Sequence, residues 1–284
     1  MGFTEKETYA LTNGVEIPII GFGTWQTPDG DVAENAVLTA IGAGYRHIDT
    51  AAVYGNEVSV GKAIKKSGVP REELFITTKL WNDAHDYEDA KKALDASLKK
   101  LDLDYVDLYM IHWPNPLAVR DSWEKRNQDV WRAMEEALAE GKARALGVSN
   151  FHPHHLDSLL ETAKVKPQVN QIYLCPSDSQ DFIVEHNRRH GIVTEAYSPL
   201  GTGTLLDVEE MKQLATKYNK SVAQVAIRWN LQKGNIPLPK SVTPQRIREN
   251  LDVFDFEITD ADMAIIDGLK GCAKVVSNPD KATF

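Results

Sequence analysis

Along the chain, short apolar runs alternate with longer stretches whose apolar positions recur every three to four residues. The runs are IIGFG (19–23), HID (47–49), LFITTK (74–79), VDLYMIH (106–112), ARALGVS (143–149), QVNQIY (168–173), IVTEAY (192–197) and IPLPK (236–240). Continuous apolarity, as opposed to strict alternation, marks strands covered on both faces. Helical periodicity fills 33–43, 58–67, 87–101, 130–139, 156–163, 182–190 and 211–218. Strand–helix alternation of this kind predicts βα units around a parallel sheet. Eight units within 284 residues predict an α/β fold, one closed (β/α)8 TIM barrel over 1–284 in place of an open doubly wound sheet. Two helical segments exceed the plan: 222–232 before the last strand and 260–269 after the last barrel helix. TYAL and VEIPII around Asn13-Gly14 predict an N-terminal β-hairpin. Its turn is expected to have two residues, because Asn and Gly both tolerate positive φ.

Composition narrows the class. The chain is 42% hydrophobic and 26% charged, with 18 Gly and 13 Pro, so it is neither collagen-like nor low-complexity. No apolar run approaches the ~20 residues of a membrane span. The start MGFTEKETYAL lacks the charged and apolar regions of a signal peptide. Two cysteines, Cys175 and Cys272, fit a reducing cytoplasmic setting. The net charge of −9 argues against a nucleic-acid or anionic-membrane surface. A cytoplasmic protein acting on a small molecule, with no nucleic-acid and no membrane partner, is the expectation.

In such barrels the chemistry sits at the C-terminal ends of the strands. Those ends present Asp49 with Tyr54 five residues on, Lys79, His112, Ser149-Asn150, Gln171, Tyr197 and Lys240-Ser241. Singly, each has a plain role: a cap, a solvated lysine, a core histidine. Together at one mouth, Asp49, Tyr54, Lys79 and His112 form a proton-delivery device for a carbonyl or alcohol. A lysine paired with a carboxylate is expected to lower the pKa of a nearby phenol, and a histidine can bind the substrate oxygen.

The segments GFGTW (21–25), YRHIDTAAVYGNE (45–57), ITTKLW (76–81), LYMIHWP (108–114), GVSNF (147–151), NQIY (170–173), AYSPLG (196–201) and PKSVTPQRIREN (239–250) carry a family resemblance. In order and along essentially the whole chain, they resemble the aldo-keto reductases. The similarity is greatest to microbial members typified by 2,5-diketo-D-gluconate reductase, with a short tail ending in SNPDKATF. The resemblance implies hydride transfer from a reduced nicotinamide to a carbonyl, with Tyr54 as general acid, Lys79 and Asp49 tuning it, and His112 orienting the substrate. Ser149, Asn150 and Gln171 would hold the carboxamide, and Tyr197 would stack on the nicotinamide. Ser198, Leu200 and Gly201 would line the pyrophosphate path, and Gly23, Thr24 and Asp49 the ribose side. Lys240, Ser241, Val242, Thr243 and Arg246 match the family's 2′-phosphate clamp, with Glu249 and Asn250 at adenine. Two cations and two hydroxyls suit a phosphate, so NADPH is favoured over NADH, which some relatives also use. The resemblance also implies a monomer.

Trp25, Trp81 and Trp113 each follow a strand end and are read as an apolar wall around the reacting carbonyl, with Val53 and His112 beside them. The stretch 115–127, NPLAVRDSWEKRN, reads as a solvated connection. GFGTWQ lacks the third glycine of a dinucleotide fingerprint, because Gln26 stands there, and reads as tight packing at a strand end. FHPHH (151–155) lacks the spacing of a metal site and reads as a helix start at Pro153, so no metal is expected. Cys175 stands before Pro176 where relatives commonly carry His. A barrel hydrolase would want a second strand-end carboxylate near Asp49, and none is evident. A non-catalytic cofactor-binding member and an NAD(H)-using alcohol oxidant are the remaining alternatives.

Overall fold

The computed structural model describes residues 4, 6–274, 276 and 278–284. Residues 1–3 and 5 of the opening segment, and Ser277 of the SNPDKATF motif, lie outside the described residues. Among the described residues ten strands form: β1 (Thr8–Ala10), β2 (Glu16–Pro18), β3 (Phe22–Gly23), β4 (His47–Asp49), β5 (Phe75–Leu80), β6 (Val106–Ile111), β7 (Ala143–Ser149), β8 (Val169–Tyr173), β9 (Val193–Tyr197) and β10 (Ile236–Leu238). β3 to β10 lie in sequence order as eight parallel neighbours. Every residue of β5, β6 and β8 is buried, as expected of strands covered on both faces.

The sheet closes into a barrel between its first and last strands. Gly21 N donates to Pro237 O at 3.1 Å and Gly23 N to Pro239 O at 3.0 Å. The glycines permit this approach. A Cβ at Gly21 would stand 2.5 Å from Leu238 Cδ2 and 2.7 Å from His47 Nδ1, inside contact distance. The tight-packing reading of GFG therefore holds.

Helices α1 (Asp31–Ala43), α2 (Glu57–Ser67), α3 (Tyr87–Leu101), α4 (Trp123–Ala139), α5 (Pro153–Leu160) and α6 (Asp181–Arg189) cover the sheet. They are followed by α7 (Glu209–Tyr218), α8 (Val222–Gln232), α9 (Pro244–Leu251) and α10 (Asp260–Asp267). Two helices do exceed the eight-fold plan, but 222–232 is not one of them. α8 packs on β10 and α9, whereas α7 packs on α8 and α10. α8 is buried continuously from Gln224 to Leu231, the mark of an inner barrel helix, so α7 and α10 are the additions.

Helix α4 starts at Trp123, seven residues before the apolar periodicity suggests. Much of the 115–127 stretch is thus a helical turn (Leu117–Ser122) and the start of α4, not a solvated connection. The hairpin forms between β1 and β2. Its turn has three residues, not two: Leu11 N donates to Val15 O at 2.8 Å, and Gly14, at φ 84°, has the positive φ while Asn13 does not. Asn13 instead uses its side chain, donating to Arg144 O at 2.9 Å and accepting from Val15 N. Leu11 and Ile17 pack with Phe75, Leu108, Met110, Ala145, Val169, Ile236 and Leu238, so the hairpin plugs the barrel end opposite the strand C-termini. Burying a side chain such as Ile17 contributes about 1.5–3 kcal/mol. With one end sealed, the other is left for chemistry.

Candidate active site

The site begins with two adjacent strands. β4 and β5 pair with Asp49 opposite Thr77, so Lys79 stands two residues further along β5, beyond the end of β4. Lys79, fully buried, places Nζ 2.7 and 2.8 Å from the Asp49 carboxylate oxygens and 2.9 Å from Thr50 O. The same Nζ lies 3.4 Å from the Tyr54 hydroxyl. Tyr54 is delivered by a single turn, Ala52–Tyr54, ended by Gly55 at φ 71°. Buried Asn56 fixes that turn, accepting from Thr50 Oγ1 and donating to Thr24 O and Thr27 O. The His112 ring follows β6 and stands edge-on to Tyr54 (5.7 Å between centroids) and to Trp81 (5.1 Å). Asp49, Tyr54, Lys79 and His112 therefore converge as their strand-end positions predict.

The electrostatics correct one expectation. The Tyr54 phenol sits above its ordinary pKa, held there first by burial and then by the Asp49 charge. In the resting site these two raising effects prevail. The phenol therefore keeps its proton, the form a general acid must start from. His112 is held well below the ordinary imidazole value by burial and by the Lys79 charge, so it is neutral at pH 7. Its buried Nδ1 has no hydrogen-bond partner among the described residues.

A polar lattice extends from this cluster. Tyr197 OH donates to Asn150 Oδ1 at 2.8 Å, and Asn150 Nδ2 donates to His112 O at 3.0 Å. Ser149 Oγ donates to Gln171 O at 2.9 Å. Gln171 Nε2 donates to Asp49 Oδ2 at 2.9 Å and to Glu195 Oε2 at 2.7 Å. Glu195, on β9, was missed from the sequence. Its signal is a lone carboxylate in an otherwise apolar strand, IVTEAY. Burial and Asp49 push its carboxyl up to about 8, so it is neutral at pH 7. Fully buried beside His47, it lies within the barrel and gives no hydrolase-type carboxylate pair open to substrate.

At the far side of the mouth, Lys240 follows β10, and its Cβ would meet a side chain at Gly23 at 3.8 Å. Ser241 Oγ accepts from Thr243 N at 3.1 Å, and α9 begins one residue later at Pro244. Lys240 and Arg246 are exposed and, among the described residues, form no ion pair. Val242 and Thr243 are also exposed, while Asn250 is buried and Glu249 half-buried and bonded to Gln245. Uncommitted cations at a helix N-terminus make an anion site, so these residues fit a phosphate-bearing cofactor. Ser198, at φ 51°, Leu200 and Gly201 lead from β9 into the helical turn Gly201–Asp207. No hydrogen bond or ion pair ties this segment to the Lys240 group among the described residues.

The aromatic wall is only partly what the sequence suggests. Trp25 lies against Tyr54 (4.8 Å) but is 51% exposed, and Val53 stands on the rim. Trp81 and Trp113 share a partner the sequence did not reveal: Phe284 stacks on Trp81 (6.2 Å, 14°) and meets Trp113 edge-on (4.9 Å). Arg126, read from sequence as solvated, is buried beneath both tryptophans. Its Nε donates to Ala84 O at 3.0 Å, and its two terminal nitrogens donate to Trp113 O and Trp81 O at 3.3 and 3.4 Å. Cys175 is buried and its thiol is pushed up to about 11, so it is inert.

Comparison with known proteins follows this geometry. The family model described as aldo/keto reductase matches residues 19–270. The glyoxal reductase of Bacillus subtilis is 48% identical over 279 residues, covering 98% of each chain. The 9,11-endoperoxide prostaglandin H2 reductase of Trypanosoma cruzi is 45% identical, covering 95% of this chain and 94% of its own. Among solved structures, an aldo-keto reductase from a Medee basin deep-sea metagenome library superposes with a TM-score of 0.92 at 42% identity, over 98% of this chain and 100% of that one. A Bombyx mori aldo-keto reductase in complex with NADP superposes at 0.88 and 39% identity, over 98% and 97%.

Proposed function

Since the chain belongs to the aldo/keto reductase family and is an oxidoreductase acting on carbonyls, we propose that it reduces aldehydes and α-dicarbonyls to alcohols with NADPH, Tyr54 serving as general acid. The observation that carries this reading is the buried Lys79–Asp49 pair with the protonated Tyr54 hydroxyl 3.4 Å from Nζ. When bound, the reduced nicotinamide supplies a hydride to the carbonyl carbon. The chain supplies the proton and the charge control. As the oxygen gains negative charge, Tyr54 hands it the phenolic proton. The phenolate then left behind faces Lys79, whose ammonium stabilises it. Lys79 thus stabilises the product of proton transfer. Neutral His112 carries one N–H that can donate to the same oxygen, a donor aimed where charge develops.

Ser149, Asn150 and Gln171 would hold the carboxamide, and half-buried Tyr197 would carry the nicotinamide face. The uncommitted cations Lys240 and Arg246 by the start of α9 favour a 2′-phosphate and hence NADPH over NADH. A relative named for glyoxal supports small dicarbonyls as substrates. Trp81, Trp113 and Trp25 would give their carbonyl end an apolar setting.

The test follows NADPH absorbance against a panel of aldehydes and dicarbonyls, with NADH in parallel and cofactor binding read by tryptophan quenching. Tyr54→Phe is expected to cut turnover by about 100- to 10,000-fold while cofactor affinity stays unchanged. Retained turnover removes Tyr54 from its role, and the absence of NADPH binding removes the cofactor assignment.

A further inference from the structure

Helix α5 opens with the sequence FHPHH, and Pro153 in its first turn sets where the helix begins. The fold brings to this turn a residue 126 positions away, Asp280. His154 Nε2 lies 3.2 Å from Asp280 Oδ1, and His152 Nδ1 lies 3.9 Å from Oδ2. His155, fully buried, places Nε2 2.9 Å from Oδ1. The His155 Nδ1 accepts from the His152 backbone N at 3.1 Å, which leaves the ring proton on Nε2, facing the carboxylate. Asn115 Nδ2 adds a second, longer contact at 3.4 Å. Asn115 thus anchors Oδ1 beside His155, while Oδ2, His152 and His154, whose Nε2 would exchange its contact with Oδ1 for an ion, can receive a ligand.

The three ligand atoms of His152, His154 and Asp280 all lie within 4.8 Å of one another. In a tetrahedral zinc site with bonds of about 2.0–2.1 Å, ligand atoms stand about 3.3 Å apart. An inward movement of up to about 1.5 Å would bring the three to that spacing, with water in the fourth position. The Asn115 amide gives the carboxylate an outer hydrogen-bond donor, the kind of support that orients metal ligands. Two imidazoles and one carboxylate suit zinc and its late-transition neighbours, and not magnesium or calcium, which take oxygen shells. The sequence spacing alone could not show this, because the third ligand comes from another part of the chain.

The place matters as much as the chemistry. Asp280 belongs to the segment 278–284, whose Phe284 covers Trp81 and Trp113. That segment is otherwise held by Arg120 donating to Ala282 O and by Leu117 N donating to Phe284 O at 3.2 Å. We propose that His152, His154 and Asp280 form a binding site for a divalent transition-metal ion of the zinc type, which fastens the 278–284 segment against α5 and so fixes the Phe284 wall of the mouth. A second cluster, Asp157 with His186 and His190, joins α5 to α6, and its three residues lie outside the 278–284 segment.

Zinc chloride is titrated by calorimetry into the full chain carrying His190→Ala, which breaks the second cluster, and amide hydrogen exchange of 278–284 is followed with and without the ion. One equivalent should bind, exchange across 278–284 should slow, and calcium chloride should do neither. Asp280→Asn and His154→Ala, both at accessible positions, should each weaken zinc by at least about tenfold. Cupric ion should quench Trp123, whose ring lies 6.0 Å from the His154 ring. Absence of binding, binding that survives both variants, or binding without slowed exchange overturns the proposal. None of these readouts requires turnover, so the test stands apart from the carbonyl-reductase reading.

Discussion

A double-mutant cycle on Asp49 and Lys79 separates the energetic role of the buried pair from its chemical one. Lys79 is fully buried and Asp49 nearly so, with the ammonium on both carboxylate oxygens at 2.7 and 2.8 Å. Asp49→Asn leaves an ammonium in the barrel without its counter-charge. Lys79→Met leaves a carboxylate with only Gln171 donating to it. Breaking such a pair costs about 3–5 kcal/mol from either side, because the survivor is desolvated and uncompensated. That is a large part of a typical total of about 5–15 kcal/mol. The double variant Asp49→Asn/Lys79→Met has no charge to compensate, and Asn can still accept from Gln171. It should therefore lie within about 2 kcal/mol of the parent, far from the sum of the singles. Urea unfolding read by tryptophan emission gives the four stabilities, provided the slope stays constant across the set. Catalysis should not recover with stability: the double variant, though well folded, should turn over as poorly as the singles. Additive losses would refute the coupling, and a double variant with restored turnover would refute the role of Lys79 beside Tyr54.

Two further expectations concern charge. Glu195, with its ordinary value of 4.5 raised to about 8, binds a proton more tightly folded than unfolded. Its contribution to stability is whole below pH 4.5 and is lost as pH rises towards 8, with an upper bound of about 4–5 kcal/mol. Glu195→Gln should accordingly flatten the fall in urea midpoint between pH 5.5 and 8.5, and an unchanged slope would show that Glu195 does not titrate there. Arg246→Ala should weaken NADPH about ten- to a hundredfold, as loss of a charge-assisted bond does, and leave NADH alone; equal losses for both would mean that Arg246 does not meet the 2′-phosphate.

The legible parts of the molecule were those encoded locally. HID and ARALGVS coincide with β4 and β7 to the residue, because each is bounded by the polar or turn residues that flank a mostly buried strand. The cluster of Asp49, Tyr54, Lys79 and His112 was legible for a related reason: a polar residue where an apolar run stops is a strand end, and in a parallel barrel all such ends share a face. What escaped depends on distance in sequence. Phe284 and Arg126 carry no local mark, since each acquires its role from Trp81 and Trp113. The start of α4 is polar because Arg126 and Asn127 face loop carbonyls there, so periodicity could not announce it. The direction of the Tyr54 shift was misjudged for the same reason. Sequence shows that a lysine is near, but not that burial and the Asp49 carboxylate act on the phenol more strongly.

The seam that closes the barrel has a consequence before closure. Gly21 and Gly23 supply both donors across it, and Pro237 and Pro239 accept. In a parallel ladder a residue's N–H and C=O face the same neighbour, and proline has no N–H. The outward edge of β10 therefore offers acceptors at 237 and 239 and no matching donors. While the chain is still an open sheet, a strand from another molecule that docks on this edge gains only half a ladder. The first strand of the same chain gains nothing more in hydrogen bonds, but it has no side chains at 21 and 23 to keep it away. The edge thus discourages intermolecular addition during folding and leaves self-closure as the favoured pairing.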